Sequence, residues 1–523
     1  MLEVSVGKIL DRILKKYKNR VAYKFGGREF TYHEVETCVN KLANGFLSLG
    51  LKKGDRVVMM TTNCIEYVFA DFAAAKVGLV KVPLDVMLSS RDIEYRIKDS
   101  EAKAVLLDEF FYSKAGLFFK EYDFVKHVIC VTDKKEILSQ GVLSYYQLLE
   151  SSPSSNPDVE VEPGDLIAIM YTGGTTGASK GVMHTHKSYL SIVYSQLVEN
   201  GVGEDEVVLI SAPLPHATGF NLLPTLMKGG RIVVTSGFNP EEFFRLVQEE
   251  KVTWTFMVPT MIYALLDFPK RREYDLSSLK TILYGAAPIS PRRLEDAIRE
   301  MGPIFMQGWA QMEIATQGTI FTKKQAADAV KNNQKERLKS CGVPVIITQL
   351  RIVDENNKEV GAGVVGELIV KGPHMMKGYW RKEEETKRTV VDGWIHTSDM
   401  GYMDDDGFIY LVDRKNDTII TGGMSVFSIE VESVLSQHPA VAETIVVGIP
   451  DEKWGEMVLG IVVKAPGKEV TESELLEYCR DKLAAYQRPK RIEFYDSLPR
   501  TVYGKLDKKS VKKKYWEGRD RMI

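Results

Sequence analysis

The sequence predicts an α/β protein: a large N-terminal domain of mixed and parallel sheets with helices, carrying a small β subdomain, then a smaller α+β C-terminal domain. Three observations predict it. Through most of the first four hundred residues, short β-branched runs alternate with helical patterns. Those runs are continuously apolar, which marks strands buried on both faces. From about residue 345 the character changes to strands joined by tight turns, and residues 415–523 carry helices and strands enough for a small separate domain. The expected division is therefore 1–414 and 415–523.

Taken in order, the first residues place Ile9, Leu10, Ile13, Leu14 and Tyr17 on one side of a short amphipathic helix. Glu3, Lys8 and Asp11 interrupt any apolar stretch, so no secretory signal is expected. Strands are expected at DRVVMM (55–60), AKAVLL (102–107), HVICV (127–131), DLIAIMYT (165–172), RIVVT (231–235) and KTILYG (280–285). Helical stretches at 240–250 and 290–301 sit among them. SSPSSNPD (151–158) is too rich in Ser and Pro for either element and reads as a surface loop. Further on, QLRIVDENNKEV, GELIVKG and GFIYLVDR read as strands, with Asp404 to Gly407 as a hairpin turn. The last segment has the helix SIEVESVLSQHP, the strands AETIVVGIP and LGIVVKA, and the helix TESELLEYCRDKLAAY.

Composition narrows the function. A chain of 523 residues exceeds one simple core, and 44% apolar with 27% charged residues is ordinary for a soluble globular protein. A formal charge of −2 gives no bias toward nucleic acid or acidic membrane. No run approaches the ~18 apolar residues of a membrane-spanning helix. The cysteines Cys38, Cys64, Cys130, Cys341 and Cys479 lie far apart and form no CxxC, which points to reduced thiols and a cytoplasmic setting.

The densest chemistry lies in MYTGGTTGASKGVMHTH (170–186). Thr172, Gly173, Gly174, Thr175, Thr176 and Gly177 crowd glycines and hydroxyls together ahead of Ser179 and Lys180. Such a stretch leaves backbone and hydroxyl donors unencumbered, as a polyphosphate needs. It is not a Walker A loop, because Ser179 precedes the lysine and Gly181 follows it. A turn needing only positive φ would use one glycine, not three. The segment follows a predicted strand and so belongs at a strand's carboxyl end, where α/β proteins gather ligands.

This segment closely resembles the signature loop of the adenylate-forming superfamily: acyl-CoA synthetases, luciferases and the adenylation domains of peptide synthetases. LYGAAPIS (283–290), QGWAQME (307–313), DGWIHTSDMGYMDDDGFIYLVDRKNDTII (392–420) and LPRTVYGKLDKK (498–509) resemble its later motifs, in the family's order and across nearly the whole chain. The resemblance implies a two-step reaction. A carboxylic acid attacks the α-phosphate of ATP, giving an acyl adenylate and pyrophosphate, and a thiol, commonly coenzyme A, then takes the acyl group. Lys505 is implied as the cation at the reacting oxygens, Glu313 as ligand or orienter of Mg²⁺. ATP or AMP is implied to contact the 172–177 segment, Lys180, Gly285, Ala286, Ala287, Pro288, Gln307, Gly308, Trp309, Met312, Asp399, Leu411 and Arg414. Asp399 is implied to take the ribose hydroxyls, with Ser398 where the family commonly has Gly. Met312 stands where the family commonly has a Thr, and cannot supply its hydroxyl.

His216 and Gly219 are implied to border the acyl pocket and thiol tunnel, with no proton-transfer role expected of His216. Large apolar pocket walls are expected from Phe220, Tyr263 and Trp309. Asn416 occupies the hinge about which a mobile C-terminal domain is implied to rotate, bringing Gly422 and Gly423 against the pantetheine arm. The basic run Lys512 to Lys514 reads as a solvated face. Implied partners are a fatty or aryl carboxylic acid, ATP and coenzyme A; a homodimer is left open, and no nucleic acid is expected. Two other functions remain open: an adenylation enzyme loading an amino or aryl acid onto a carrier protein, and a catalytically impaired homologue. The segment after LPLP carries no Asp for a substrate ammonium and no carrier domain is expected after Ile523, which disfavours the first. Lys505, Glu313 and Asp399 disfavour the second.

Overall fold

The computed structural model describes residues 4–115, 121–172, 179–415, 417–500 and 506–517. Of the expected site, Gly173, Gly174, Thr175, Thr176, Gly177, Asn416 and Lys505 lie outside the described residues. The chain is a mixed α/β protein that divides into two compact units, Met1–Gln349 with Val370–Ile395, and Leu350–Ile369 with His396–Ile523.

Among the described residues the first unit holds two large sheets. One has nine strands in the order Val343–Pro344, Thr319–Phe321, Phe305–Trp309, Thr281–Gly285, Trp254–Met257, Val207–Ile210, Arg231–Val234, Val21–Phe25, Arg28–Thr31. The strands from Phe305–Trp309 through Val21–Phe25 run parallel. The other has eight, ordered Gly378–Tyr379, Lys180–Thr185, Leu166–Thr172, Val80–Pro83, Arg56–Met60, Ala104–Asp108, His127–Val131, Leu143–Ser144. Every apolar run expected as a strand is one, and Thr281–Gly285 is buried at all five positions. Helices cover the sheets, as parallel strands require. Pro240–Glu250 and Pro291–Met301 begin with proline in the first turn, where its missing N–H is harmless.

The N-terminal helix is Val6–Lys16, capped by the Ser5 side chain, with Ile9, Leu10, Ile13 and Leu14 buried and Tyr17 just past its end. Asp11 does not face solvent alone: it accepts from the buried Lys76 ammonium, which also reaches the side-chain oxygens of Asn40 and Asn156. No helix among the described residues is long and apolar enough to cross a membrane. All five cysteines are free, and burial pushes Cys64 and Cys130 up to about 12.

In the second unit, the strands Trp394–Met403 and Ile409–Arg414 form an antiparallel hairpin turned at Asp404 to Gly407. A second sheet is ordered Met424–Val426, Ile419–Thr421, Gly455–Lys464, Val441–Asp451, with Arg491–Phe494 parallel to Gly455–Lys464. Its long hairpin buries alternate residues on opposite faces. Val446, Val458 and Val462 pack with Leu435 and Leu475, while Ile445, Val447, Leu459 and Ile461 pack with Val511. The helix expected to run to Tyr486 ends at Arg480, because Leu483 turns in to join the first of these clusters. The expected boundary after residue 414 falls between these two sheets.

Candidate functional site

In the first unit, the expected residues gather at carboxyl ends of parallel strands. Thr172 ends the strand Leu166–Thr172, Gly285 ends Thr281–Gly285, and Trp309 ends Phe305–Trp309. Thr172 stands opposite Lys180 in register, so the hairpin holds both at the mouth of the glycine-rich segment. The Ser179 hydroxyl donates to the Thr172 carbonyl.

The Lys180 ammonium lies 5.0 Å from the centre of the Tyr379 ring, within cation–π range. The Tyr379 hydroxyl donates to Glu313 Oε1 at 2.8 Å, and the Glu313 carbonyl accepts from Met376 N at 2.8 Å. Burial, then the Glu313 charge, raises the Tyr379 hydroxyl above its ordinary range, so it remains a donor. Tyr379 is a residue that sequence reasoning missed; its only local signal is the GYW triplet at 378–380.

The strand Lys180–Thr185 also contacts the Glu313 turn, through His184. His184 is fully buried and burial pushes it down to about 4, so the ring is neutral. A carbonyl can only accept, so the contact of His184 Nε2 with the Met312 carbonyl at 2.8 Å assigns the ring proton to Nε2. Nδ1 faces the Ser188 hydroxyl at 3.3 Å. After Glu313 the chain is strained, with Ala315 at φ 48° and Thr316 at φ 76°. Among the described residues no group of three His, Cys, Asp or Glu could hold a metal. A single half-buried carboxylate with one oxygen oriented nevertheless fits Mg²⁺, which is commonly held by one or two carboxylates plus substrate phosphates.

The glycines at 285 and 308 face each other across paired strands for different reasons. A Cβ on Gly285 would lie 2.6 Å from the Gly308 carbonyl oxygen, so the protein itself demands that glycine. A Cβ on Gly308 would meet nothing nearer than 3.8 Å. Beyond Gly285 the chain emerges, with Ala286 at φ 67° and Ala286 and Pro288 exposed beside half-buried Ala287. Gln307 accepts from the Tyr284 hydroxyl at 3.2 Å. Trp309 is buried, its ring where a Cβ on Gly318 would sit. Phe220 is buried and stacked on Tyr189, while the Tyr263 hydroxyl accepts from Ser290 N.

His216 pairs with Asp85, an arrangement the sequence does not disclose: Nε2 and Oδ2 are 2.8 Å apart. Gly219 is accounted for locally, since a Cβ there would lie 2.5 Å from the Leu214 carbonyl oxygen.

In the second unit, Asp399 and Arg414 are cross-strand partners, with Arg414 Nε 3.3 Å from Asp399 Oδ1. Leu411 sits on the same strand opposite Gly401. Ser398 has φ 58°, a left-handed conformation that glycine adopts freely, so the serine in TSD is a strained replacement. Gly422 and Gly423, at φ 57° and 77°, form the two-residue turn between Ile419–Thr421 and Met424–Val426. Trp454 packs where a Cβ on Gly422 would be.

The chain flanking Asn416 is tied down more firmly than expected. Lys415 reaches Glu367 at 3.0 Å, and buried Asp413 accepts from both the N–H and the hydroxyl of Ser428. Lys508 is buried against Glu432 at 2.8 Å and donates to Ser428. Lys512, expected as part of a solvated face, instead lies largely covered, 3.7 Å from Asp417. A basic run read by composition alone cannot reveal acidic partners almost a hundred residues away.

These elements are those of a known class. The family model for AMP-binding enzymes matches residues 10–380, and the model for the AMP-binding enzyme C-terminal domain matches 430–505. The chain belongs to this adenylate-forming family, and it is an AMP-forming acid–thiol ligase, with ATP and coenzyme A as its substrates beside the acid. Two curated relatives are each 35% identical to it. Medium/long-chain-fatty-acid–CoA ligase FadD8 of Mycobacterium tuberculosis aligns over 99% of this chain and 91% of its own. Feruloyl-CoA synthase of an Amycolatopsis species aligns over 94% and 96%. Among solved structures, ATP-bound MatB from Rhodopseudomonas palustris superimposes with a TM-score of 0.88 at 26% identity, covering 98% of this chain and 99% of that one.

Proposed function

We propose that the acid this ligase activates is a fatty or aryl carboxylic acid. What supports the reading is the likeness to one ligase named for medium- and long-chain fatty acids and another named for ferulic acid, at equal identity. The pocket segment carries no acidic residue between Leu214 and Phe220 to receive a substrate ammonium. The single observation that carries the nucleotide site is the Lys180–Tyr379–Glu313 chain at the strand ends.

In this reading Lys180 and the glycine-rich segment hold the β- and γ-phosphates and release pyrophosphate. Glu313 holds Mg²⁺, which neutralises phosphate charge when bound. Gly308 and the Gly285–Pro288 turn receive the base, Asp399 the ribose hydroxyls. Lys505 supplies the cation at the reacting oxygens, where preorganised charge lowers the barrier. Residues 415–523 then rotate about Asn416, exchanging Lys505 for the Gly422–Gly423 turn at the site. Separated, reduced thiols support a cytoplasmic location.

The test is ATP–pyrophosphate exchange across straight-chain acids and hydroxycinnamic and benzoic acids, followed by detection of the CoA thioester. Exchange with amino acids alone would overturn the reading.

A further inference from the structure

One buried cluster of charges bridges the point about which the C-terminal segment is proposed to turn. Asp413 precedes Asn416, whereas Ser428, Glu432 and Lys508 follow it. Asp413 is 4% exposed and uses both oxygens. Oδ1 accepts from Arg414 N at 2.8 Å, and Oδ2 accepts from Ser428 N at 2.6 Å and from the Ser428 hydroxyl at 2.8 Å. That hydroxyl accepts in turn from Lys508 Nζ, which also lies 2.8 Å from Glu432 Oε1. Asp413 belongs to the strand Ile409–Arg414, whose last residue pairs with Asp399. Ser428 and Glu432 lie on the helix Ser428–Leu435, and Lys508 opens the helix Lys508–Trp516. The cluster therefore joins the hairpin that carries Asp399 to two helices beyond residue 416.

Stability alone does not account for it. Apolar side chains of similar volume would fill this place as well or better. A lysine at the first position of a helix is opposed by the helix dipole. Two carboxylates face one ammonium, so the charges do not cancel. Burial pushes the carboxyls of Asp413 and Glu432 up, and Lys508 and the hydrogen bonds draw them back only in part. Burial also works against the Lys508 charge, but Glu432 and Asp413 outweigh it and hold the ammonium above its ordinary value. Such a contact is specific in geometry, and opening it returns excess charge to water, which offsets much of what is lost.

Resting on the rotation about Asn416 proposed above, we propose that Asp413, Ser428 and Lys508 are positioning residues of the ligase cycle. They form a latch that holds the C-terminal segment in one of its two arrangements and parts for the other. A turn about residue 416 leaves Asp413 with its strand and carries Ser428, Glu432 and Lys508 together. The contacts of Asp413 break, while the Lys508–Glu432 pair travels intact. The two half-reactions therefore depend on the latch with opposite sign.

The test measures two rates on each protein. One is ATP–pyrophosphate exchange with dodecanoic or benzoic acid, whichever the wild type uses; the other is CoA thiolysis of the matching preformed acyl adenylate. Asp413→Asn and Ser428→Ala loosen the latch, and each is expected to shift the ratio of the two rates about tenfold in one direction, as loss of a charged hydrogen bond implies. Asp413→Cys with Ser428→Cys, bridged by ethanediyl bismethanethiosulfonate, keeps it closed. The bridged protein is expected to lose one half-reaction, moving the ratio the opposite way, and to regain it on reduction and desalting. Wild type treated in the same way is the control. Both half-reactions running in the bridged protein would mean that the hairpin travels with the helices, and overturns the proposal. So does a loss shared equally by both rates, or an unmoved ratio in Asp413→Asn and Ser428→Ala. Asn416→Pro tests the rotation separately, because a fixed φ stiffens the turn. If both rates survive in Asn416→Pro, the rotation itself fails; loss of one there, with none in the bridged protein, overturns the latch alone.

Discussion

The Tyr379 hydroxyl donates to Glu313 Oε1 at 2.8 Å, and so one carboxylate oxygen is fixed while the other can turn toward a ligand. Because Lys180 lies over the same ring, the phenol links the phosphate-side lysine to the metal-side carboxylate. Glu313→Gln should lower pyrophosphate exchange by about 100-fold, removing a negative ligand from a hard cation. Tyr379→Phe should cost about tenfold and raise the Mg²⁺ concentration for half-maximal exchange. A Mg²⁺ titration of both variants checks this; an unshifted midpoint in Tyr379→Phe would show that the phenol does not orient the carboxylate.

Asp399 is buried and its pairing with a half-exposed Arg414 contributes little to stability, as surface ion pairs do. Its value lies in accepting two hydroxyls. Asp399→Asn should raise KM for ATP by about 10- to 100-fold, the loss of one or two charged hydrogen bonds at about 1.5 kcal/mol each. Melting temperature should scarcely move. Steady-state kinetics with ATP varied, beside a thermal melt, decides it.

The glycine pair separates a folding demand from a binding demand. Gly285→Ala presses a methyl onto a backbone carbonyl and should lower the melting temperature and soluble yield. Gly308→Ala has room and should melt like the parent while binding ATP about tenfold more weakly, because the methyl enters the space given to the base. Calorimetric titration with ATP on both variants measures the contrast; equal ATP binding by Gly308→Ala and parent would remove Gly308 from the site.

What the sequence disclosed and what it hid divide along contact distance. Continuous apolar runs marked the buried strands because parallel sheets covered on both faces leave no polar side. Glu313 and the Asp399–Arg414 pair were legible because each sits in a short contiguous motif. Tyr379, Asp85 and the His184–Met312 contact were not, since their partners lie 66, 131 and 128 residues away. Nothing local to VPLD marks Asp85 as different from any loop aspartate. Ser398 shows a subtler limit: its identity was plain, but its left-handed backbone emerged only from the fold.

Lys505 is assigned by its motif alone, and its task is separable from the second step. Lys505→Ala should lose pyrophosphate exchange by more than 100-fold, as loss of a cation at a charged transition state implies. Thiolysis of a supplied acyl adenylate should persist, because in the proposed cycle the lysine has left by then. Both half-reactions are measured on one preparation; loss of thiolysis together with exchange would assign the lysine a structural role instead.

Acid should unfold this protein earlier than its carboxylates alone would. His184, His186 and His374 are buried, and burial pushes each down to about 4 from about 6.5. His186 Nε2 and His374 Nδ1 have no hydrogen-bond partner among the described residues, so nothing is in place to stabilise a second ring proton. The unfolded chain therefore binds protons first as the pH falls below about 6.5, and stability drops from there until the folded rings also protonate near 4. At pH 5.5 the three together should remove about 4 kcal/mol relative to pH 7.5, roughly 1.4 kcal/mol each. Urea unfolding at the two pH values measures the difference directly. His184→Gln should unfold more easily at both, yet shrink the gap between them by about a third, and a gap of unchanged size would mean that His184 does not titrate differently in the two states.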